Sequence, residues 1–126
     1  MTATQSSTLD NDANQFGAGN CINGVTDSDW KAAPWGGRWK ALCHTPGGPG
    51  DEKPWIAIDY GTPVTVQRVE IFNRGDCCGK RTRNVEVRIS NELPTSSSQM
   101  FSGGDNLGSF AGPAATGQHI VISGQK

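Results

Sequence analysis

The chain has 126 residues, of which 34% are hydrophobic and 17 are glycine, and its 11 basic and 12 acidic side chains give a formal net charge of −1. This length fits one domain, and the balanced charge with no basic stripe argues against a nucleic-acid partner. No apolar run approaches the length of a membrane span, and the first residues lack the charged and apolar regions of a signal peptide. We therefore expect one loop-rich domain, residues 1–126, with a small core.

Five segments are predicted to be β-strands, and clusters of Gly, Pro and Asn separate them. In chain order they are residues 2–8, 56–60, 64–73, 84–90 and 120–123. The fourth has the clearest pattern, because Val85, Val87 and Ile89 alternate with charged residues. In the third, the apolar positions change parity, which predicts a bulge near Gln67 and Arg68.

Two longer segments, residues 9–54 and 93–117, show little periodicity and are predicted as loops. No stretch of ten or more residues carries a helical apolar stripe. Short strands and long Gly-rich loops are typical of an all-β protein with an antiparallel β-sandwich. Long loops in a compact domain are usually either functional or disordered.

The chain contains four cysteines, Cys21, Cys43, Cys77 and Cys78. An even number in a small, Gly-rich domain predicts disulfides and an oxidising compartment. A zinc site is the disfavoured alternative, because Cys77 and Cys78 lack the spacer of a zinc knuckle and no second ligand pair follows them.

Residues 73–81 place three cations, one carboxylate and two adjacent cysteines in a single turn between two predicted strands. The plain interpretation is a solvated hairpin loop. Two features favour a binding site instead. A disulfide between adjacent cysteines closes a strained ring, and such strain concentrates at functional sites. Arg74 and Arg81 also flank Asp76, whose carboxylate would hold their guanidinium groups in place.

Fixed cationic donors suit either an anion or a dense set of hydroxyl groups. A sugar presents hydroxyl oxygens as acceptors and a C–H face as an apolar surface. Arginine offers several donors in a rigid fork, and a disulfide or an aromatic ring offers a flat apolar wall. Because this turn combines both elements, it favours a neutral sugar over a bare anion.

The order Arg74-Gly75-Asp76, four residues and then Arg81 resembles the signature of the F-type lectins. In that pattern a His precedes Arg-x-Asp-x4-Arg/Lys by a variable gap, and His44 supplies it here. Members of the family often have a vicinal cysteine pair, which corresponds to Cys77 and Cys78 here. Residues 3–7 and 54–61 resemble its opening and the strand after its His loop, so the resemblance covers most of residues 2–90.

This resemblance implies a discoidin-like jelly roll whose loops hold terminal α-L-fucose. His44, Arg74 and Arg81 would bond the ring oxygen and hydroxyls, and a Cys77–Cys78 disulfide would pack on the apolar face of the sugar. Trp30 falls where the family places an aromatic ring beside the sugar, and Leu9 is a plausible apolar neighbour. His119, in a predicted strand, is interpreted as a structural residue.

The resemblance also implies a structural calcium ion in the loop that contains Asn20, Asn23, Val25 and Asp27. The family usually has Asp at the position of Asn23, so the main charged ligand for this hard cation is missing. Asp27 and Asp29 lie close enough in sequence to compensate. The alternative is an Asn/Gly/Asp turn without metal.

After Ser123 the family continues through one or two more strands, so we expect a sandwich that lacks its last strand or strands. Relatives often pair the cysteine at the position of Cys43 with a cysteine in that late region. Its absence leaves Cys21 as the partner within this chain, or leaves Cys43 free. Without that last strand, one strand edge and part of the core would be exposed. We therefore expect the chain to be a fragment of a larger protein, a domain-swapped dimer or only marginally stable.

Two other classes of protein compete with a fucose-binding lectin. One is a discoidin-like module that binds proteins or lipid headgroups, and the other is a glycosidase or its carbohydrate-binding appendage. A glycosidase needs two carboxylates across the sugar, whereas the motif offers only Asp76, so we do not expect an enzyme. We expect fucosylated glycans as partners, an extracellular location, and either a homo-oligomer or a place within a multidomain protein.

Overall fold

The computed structural model describes residues 1–11, 16–24, 43–46, 53–75, 77–92 and 103–124. Within these ranges the chain forms six β-strands in three antiparallel pairs, together with short 3-10 turns. It separates into two compact units, Met1–Gly61 and Thr62–Lys126. None of the helices in these described ranges has the length and hydrophobicity needed to cross a membrane.

The first unit contains one strand pair, β1 (Thr2–Gln5) with β2 (Ile56–Asp59). A 3-10 turn at Leu9–Asn11 follows β1, and a second one at Ala18–Cys21 leads to a disulfide between Cys21 and Cys43. The side-chain nitrogen of Gln5 donates to the carbonyl oxygen of Phe16 at 2.9 Å. This bond ties the end of β1 to the loop that follows the first turn.

The second unit contains two strand pairs. Strand β3 (Arg68–Phe72) pairs with β6 (His119–Ser123), and β4 (Val85–Ile89) pairs with β5 (Asp105–Phe110). In the first pair Val69 lies opposite Ile122 and Ile71 lies opposite Ile120. The alternating apolar residues of both strands therefore share one face, as the period of two predicts.

The core of the second unit lies where the two strand pairs face each other. Ala114, Ile120 and Ile122 are buried, and they pack against partly buried side chains of the neighbouring strands: Ile71, Val85, Val87 and Phe110. Gly108 of β5 allows this close approach, since a Cβ there would lie 2.7 Å from Cγ2 of Ile122. The core is thus a two-layer packing of β-strands.

The structure confirms the strands predicted over residues 84–90 and 120–123 to within one residue at each end, and it shortens the three predicted before them. The strand predicted over residues 64–73 begins only at Arg68, so the predicted bulge near Gln67 and Arg68 is wrong. The paired strand β6 ends at Ser123 opposite Arg68. Just before Arg68, the carbonyl oxygen of Gln67 still accepts from the backbone nitrogen of Gly124 at 3.3 Å. No strand pairing is assigned to residues 64–67 within the described part of the chain, and Val64 is 48% exposed.

The prediction of a loop throughout residues 93–117 is also wrong, because β5 lies within it. The strand reads Asp105-Asn106-Leu107-Gly108-Ser109-Phe110, with a single buried apolar side chain, Leu107. Gly108 stands where close packing excludes a side chain. Close approach of another strand has therefore removed the alternating pattern that identifies a strand in sequence.

Candidate functional site

The connection between β3 and β4 carries the predicted binding residues of the second unit. It contains a 3-10 turn at Gly79–Arg81, and Cys78 precedes this turn in the left-handed backbone region with φ of 66°. A residue with a Cβ rarely adopts this conformation, so the turn is locally strained. Cys77 and Cys78 are bonded to each other, with their Cα atoms 3.7 Å apart. The predicted vicinal disulfide is confirmed.

The two arginines of the motif lie on either side of this disulfide in sequence. Arg74 follows β3, and its carbonyl oxygen accepts a hydrogen bond from the backbone nitrogen of Gly117 at 2.8 Å. Its side chain is half-buried, whereas that of Arg81 is exposed. The backbone nitrogen of Arg81 donates to the carbonyl oxygen of Cys78 at 3.1 Å. Backbone hydrogen bonds thus join Arg81 to the disulfide residue Cys78 and Arg74 to Gly117, which precedes β6.

The residues that precede β6 support this turn, a contact that the sequence did not predict. Gly79 is buried, and its backbone nitrogen donates to Oγ1 of Thr116 at 3.3 Å. Asn73, also buried, donates from its backbone nitrogen to the carbonyl oxygen of Gln118 at 3.0 Å. An asparagine just after a strand is a sequence signal for side-chain bonds to the backbone. It does not identify partners that lie about forty residues away.

His44 lies in the first unit, where the structure brings it together with Leu9. The backbone nitrogen of Leu9 donates to the carbonyl oxygen of His44 at 2.9 Å, and that of His44 donates to Phe16 at 3.0 Å. The rings of His44 and Phe16 pack edge to face, with centroids 5.8 Å apart. The backbone of His44 is therefore joined to Leu9 and Phe16, and its half-buried imidazole packs against the ring of Phe16.

One contact favours one tautomer of His44. Its Nδ1 lies within hydrogen-bond distance of the carbonyl oxygen of Thr45, an acceptor, which favours a proton on Nδ1. In the neutral ring, Nε2 is then an acceptor that can receive a hydroxyl proton. This property suits a ligand that presents hydroxyl groups.

Several predicted site residues lie outside the described residues: Asp76, Trp30, Val25 and Asp27. Of the predicted calcium ligands, Asn20 is buried in the second 3-10 turn and Asn23 is exposed just after it. No group of three or more His, Cys, Asp or Glu side chains suited to a metal ion occurs in the described part of the chain. Calcium therefore stays a prediction.

His119 lies on the outer face of the β3–β6 pair. Its ring stacks on Phe72, with centroids 4.4 Å apart, and its Nε2 lies 3.0 Å from a carboxylate oxygen of Glu70. Phe72 and His119 are direct partners across the strand pair. These contacts agree with the prediction that His119 is a structural residue.

In chemical terms, the turn of the second unit combines guanidinium donors with a half-buried disulfide. The guanidinium of Arg74 or Arg81 can donate to several oxygens of one ligand. The sulfur pair is apolar and can contact C–H groups. These features make the loop between β3 and β4 the candidate binding site of a protein built from paired antiparallel β-strands.

The chain belongs to the family of NedA-like, galactose-binding domains, whose family model matches residues 20–120. The resemblance to the F-type lectins is confirmed by curated relatives. Fucolectin-5 of Anguilla japonica is 36% identical over 75 residues, which are 60% of this chain and 34% of that protein. The fucolectin of Anguilla anguilla is 34% identical over 93 residues, 72% of this chain and 52% of that protein.

A solved structure shows the same fold. The F-lectin (fucolectin) from the serum of Morone saxatilis, the striped bass, matches 99% of this chain with a TM-score of 0.74 and 27% sequence identity. The match covers 37% of that protein's chain. This chain thus spans roughly a third to a half of the length of these three proteins. The predicted all-β, discoidin-like fold is confirmed.

Proposed function

We propose that this domain is a lectin that binds terminal α-L-fucose in glycans through the turn that carries Arg74, Cys77, Cys78 and Arg81. The observation that carries the proposal is the disulfide between Cys77 and Cys78, set in a strained turn and flanked by two arginines. Relatives named fucolectins and the F-lectin structure support the choice of sugar.

The chemistry of the turn fits this ligand. L-Fucose has a methyl group where a galactose has a hydroxymethyl group, so it offers both a polar edge and an apolar patch. The arginines would donate to hydroxyl and ring oxygens, and each such charge-assisted bond contributes about 1.5–3 kcal/mol. The disulfide would contact the apolar patch. His44 and Asp76 are the other members of the F-type pattern, and His44 could accept a hydroxyl proton at Nε2.

In a shallow, hydrated site, the free-energy costs of desolvation and side-chain ordering offset much of the favourable hydrogen-bond energy. We expect a Kd for the monosaccharide between roughly 1 μM and 1 mM. Useful avidity would then require several copies, in a homo-oligomer or within a multidomain protein. The disulfides suit an extracellular location. We propose a binding role without catalysis.

The test is calorimetric titration of the disulfide-intact chain with L-fucose and, separately, with D-galactose. Saturable binding of L-fucose that exceeds that of D-galactose supports the proposal. Equal affinity for both sugars would support a sugar-binding lectin but contradict specificity for fucose. Glycan-array binding that free L-fucose competes would support the proposal, whereas a folded chain that binds no glycan on the array would favour the protein- or lipid-binding alternative.

A further inference from the structure

We propose that Asn73 is a positioning residue: its side chain fixes the turn that carries Cys77, Cys78 and Arg81, without itself touching the sugar. This inference rests on the proposed function, because it explains how the proposed fucose site keeps its geometry. Asn73 is only 6% exposed, which leaves it little surface for contact with a ligand.

One amide group joins three parts of the second unit. The side-chain nitrogen of Asn73 donates to the carbonyl oxygen of Gly79 at 3.1 Å and to that of Ala115 at 2.9 Å. Its side-chain oxygen accepts from the hydroxyl of Thr82 at 2.7 Å. Gly79 begins the 3-10 turn and Thr82 caps its C-terminal end. Ala115 belongs to residues 114–118, the supporting segment before β6. The turn is therefore held at both ends by the same side chain.

Asparagine is well suited to this position because its amide offers two donors and one acceptor in a plane. An aspartate carboxylate would face two carbonyl oxygens with no proton to donate. A leucine would remove the side-chain bonds to the carbonyls of Gly79 and Ala115 and to the hydroxyl of Thr82, and it offers no polar group in their place. Neither replacement can keep the turn against the supporting segment in its present position.

The role of Asn73 also has a local consequence for the arginines. Asn73 directly precedes Arg74, and Thr82 directly follows Arg81. The Asn73–Thr82 bond thus joins the residues next to the two proposed sugar-binding arginines. A shift of this bond would change the separation between the backbones of Arg74 and Arg81, and small displacements of donors weaken a multipoint site strongly.

Thr82 provides a test that separates the hydroxyl from the bulk of the side chain. Thr82→Val keeps the shape and removes the donor to Asn73, whereas Thr82→Ser keeps the donor and removes the methyl group. We expect Thr82→Val to weaken L-fucose binding about two- to tenfold, the range of one neutral hydrogen bond, and Thr82→Ser to bind like the wild type. Two variants of equal affinity would contradict the proposal.

Asn73→Asp tests the amide directly, and Asn106→Asp is its control, since Asn106 is exposed on β5 and undergoes the same chemical change. We expect Asn73→Asp to weaken L-fucose binding more than about tenfold. Amide hydrogen exchange should become faster at residues 79–82 and 114–118, while the amides of β4 and β5 keep their protection. The control should change neither quantity.

Hydrogen exchange also distinguishes failure of this inference from failure of the proposed function. If the wild type binds no L-fucose, the proposed function is wrong. Faster exchange confined to residues 79–82 and 114–118 in Asn73→Asp would then still support the positioning role. Exchange and fucose affinity that both match the wild type in Asn73→Asp would overturn it.

Discussion

Gly79 lies directly against the backbone of Thr116: a Cβ built on Gly79 would be 2.3 Å from the backbone nitrogen of Thr116. Real Cβ atoms do not approach other atoms so closely, and a backbone group cannot rotate away as a long side chain can. The turn that carries the vicinal disulfide is therefore packed without spare space against the segment before β6.

The first prediction is that Gly79→Ala separates the turn from its supporting segment. We expect it to lower the free energy of unfolding by about 1–3 kcal/mol through overpacking and to weaken L-fucose binding. Gly19→Ala is the matched control, because Gly19 also lies in a 3-10 turn and a Cβ there meets nothing within 4 Å. Denaturant unfolding and calorimetric titration measure the two effects, and equal results for both alanine variants would contradict the packing argument.

A second prediction concerns the two arginines. Arg74→Ala and Arg81→Ala should each lower L-fucose affinity about 10- to 100-fold, the loss expected from one charge-assisted hydrogen bond. Arg68→Ala is the control, since Arg68 lies on the outer face of β3 beside Glu70. Circular dichroism should show that all three variants remain folded.

A conservative pair of variants sharpens this test. The F-type pattern accepts Lys at the position of Arg81 and requires Arg at that of Arg74. We therefore expect Arg81→Lys to keep more affinity than Arg74→Lys, because a lysine can replace a single donor but not the planar fork. If Arg74→Ala and Arg81→Ala both bind L-fucose as the wild type does, this turn is not the sugar site.

The strands could be predicted from sequence where one face is buried and the other is exposed. The pattern of Val85, Val87 and Ile89 survives because β4 packs on one side only. Strand β5 was missed because Gly108 replaces an inward side chain where β6 approaches closely. The prediction was wrong for residues 64–67 for a different reason. Their apolar side chains resemble those of a strand, but no paired strand is assigned to them among the described residues.

The candidate site shows the same division between local and distant information. Arg74, Cys77, Cys78 and Arg81 could be predicted together because eight consecutive residues contain them all. The support from Thr116 and Ala115 could not, since these residues lie 37 and 42 positions from their partners Gly79 and Asn73. Such contacts are set by the pairing of β3 with β6, which no local pattern encodes.

Calcium binding can be tested by restoring the carboxylate that the family usually has. Asn23 is exposed, so Asn23→Asp should be tolerated by the fold. We expect added calcium to raise the Tm of Asn23→Asp more than that of the wild type, because a further carboxylate strengthens the site for a hard cation. Asn91→Asp, at another exposed asparagine, is the control. The absence of a calcium-dependent Tm shift in Asn23→Asp would refute a site in this loop.

The last prediction is that the two disulfides have different roles. Cys21–Cys43 spans 22 positions, so it restricts the unfolded chain and should stabilise the fold by about 3 kcal/mol. Cys77–Cys78 joins neighbours in sequence and restricts the unfolded chain very little. Its proposed contribution is the apolar wall and the shape of the turn between Arg74 and Arg81.

We therefore expect Cys21→Ser/Cys43→Ser to lower the Tm by on the order of 10 °C, with L-fucose affinity retained below the transition. The double variant Cys77→Ser/Cys78→Ser should do the reverse: a small change in Tm and a large loss of affinity. Non-reducing peptide mapping of the wild type should yield Cys77 and Cys78 in one peptide, lighter by two hydrogens than its reduced form. A peptide that links Cys43 to Cys77, or equal effects of the two double variants on affinity, would show that the vicinal pair has no special role in binding.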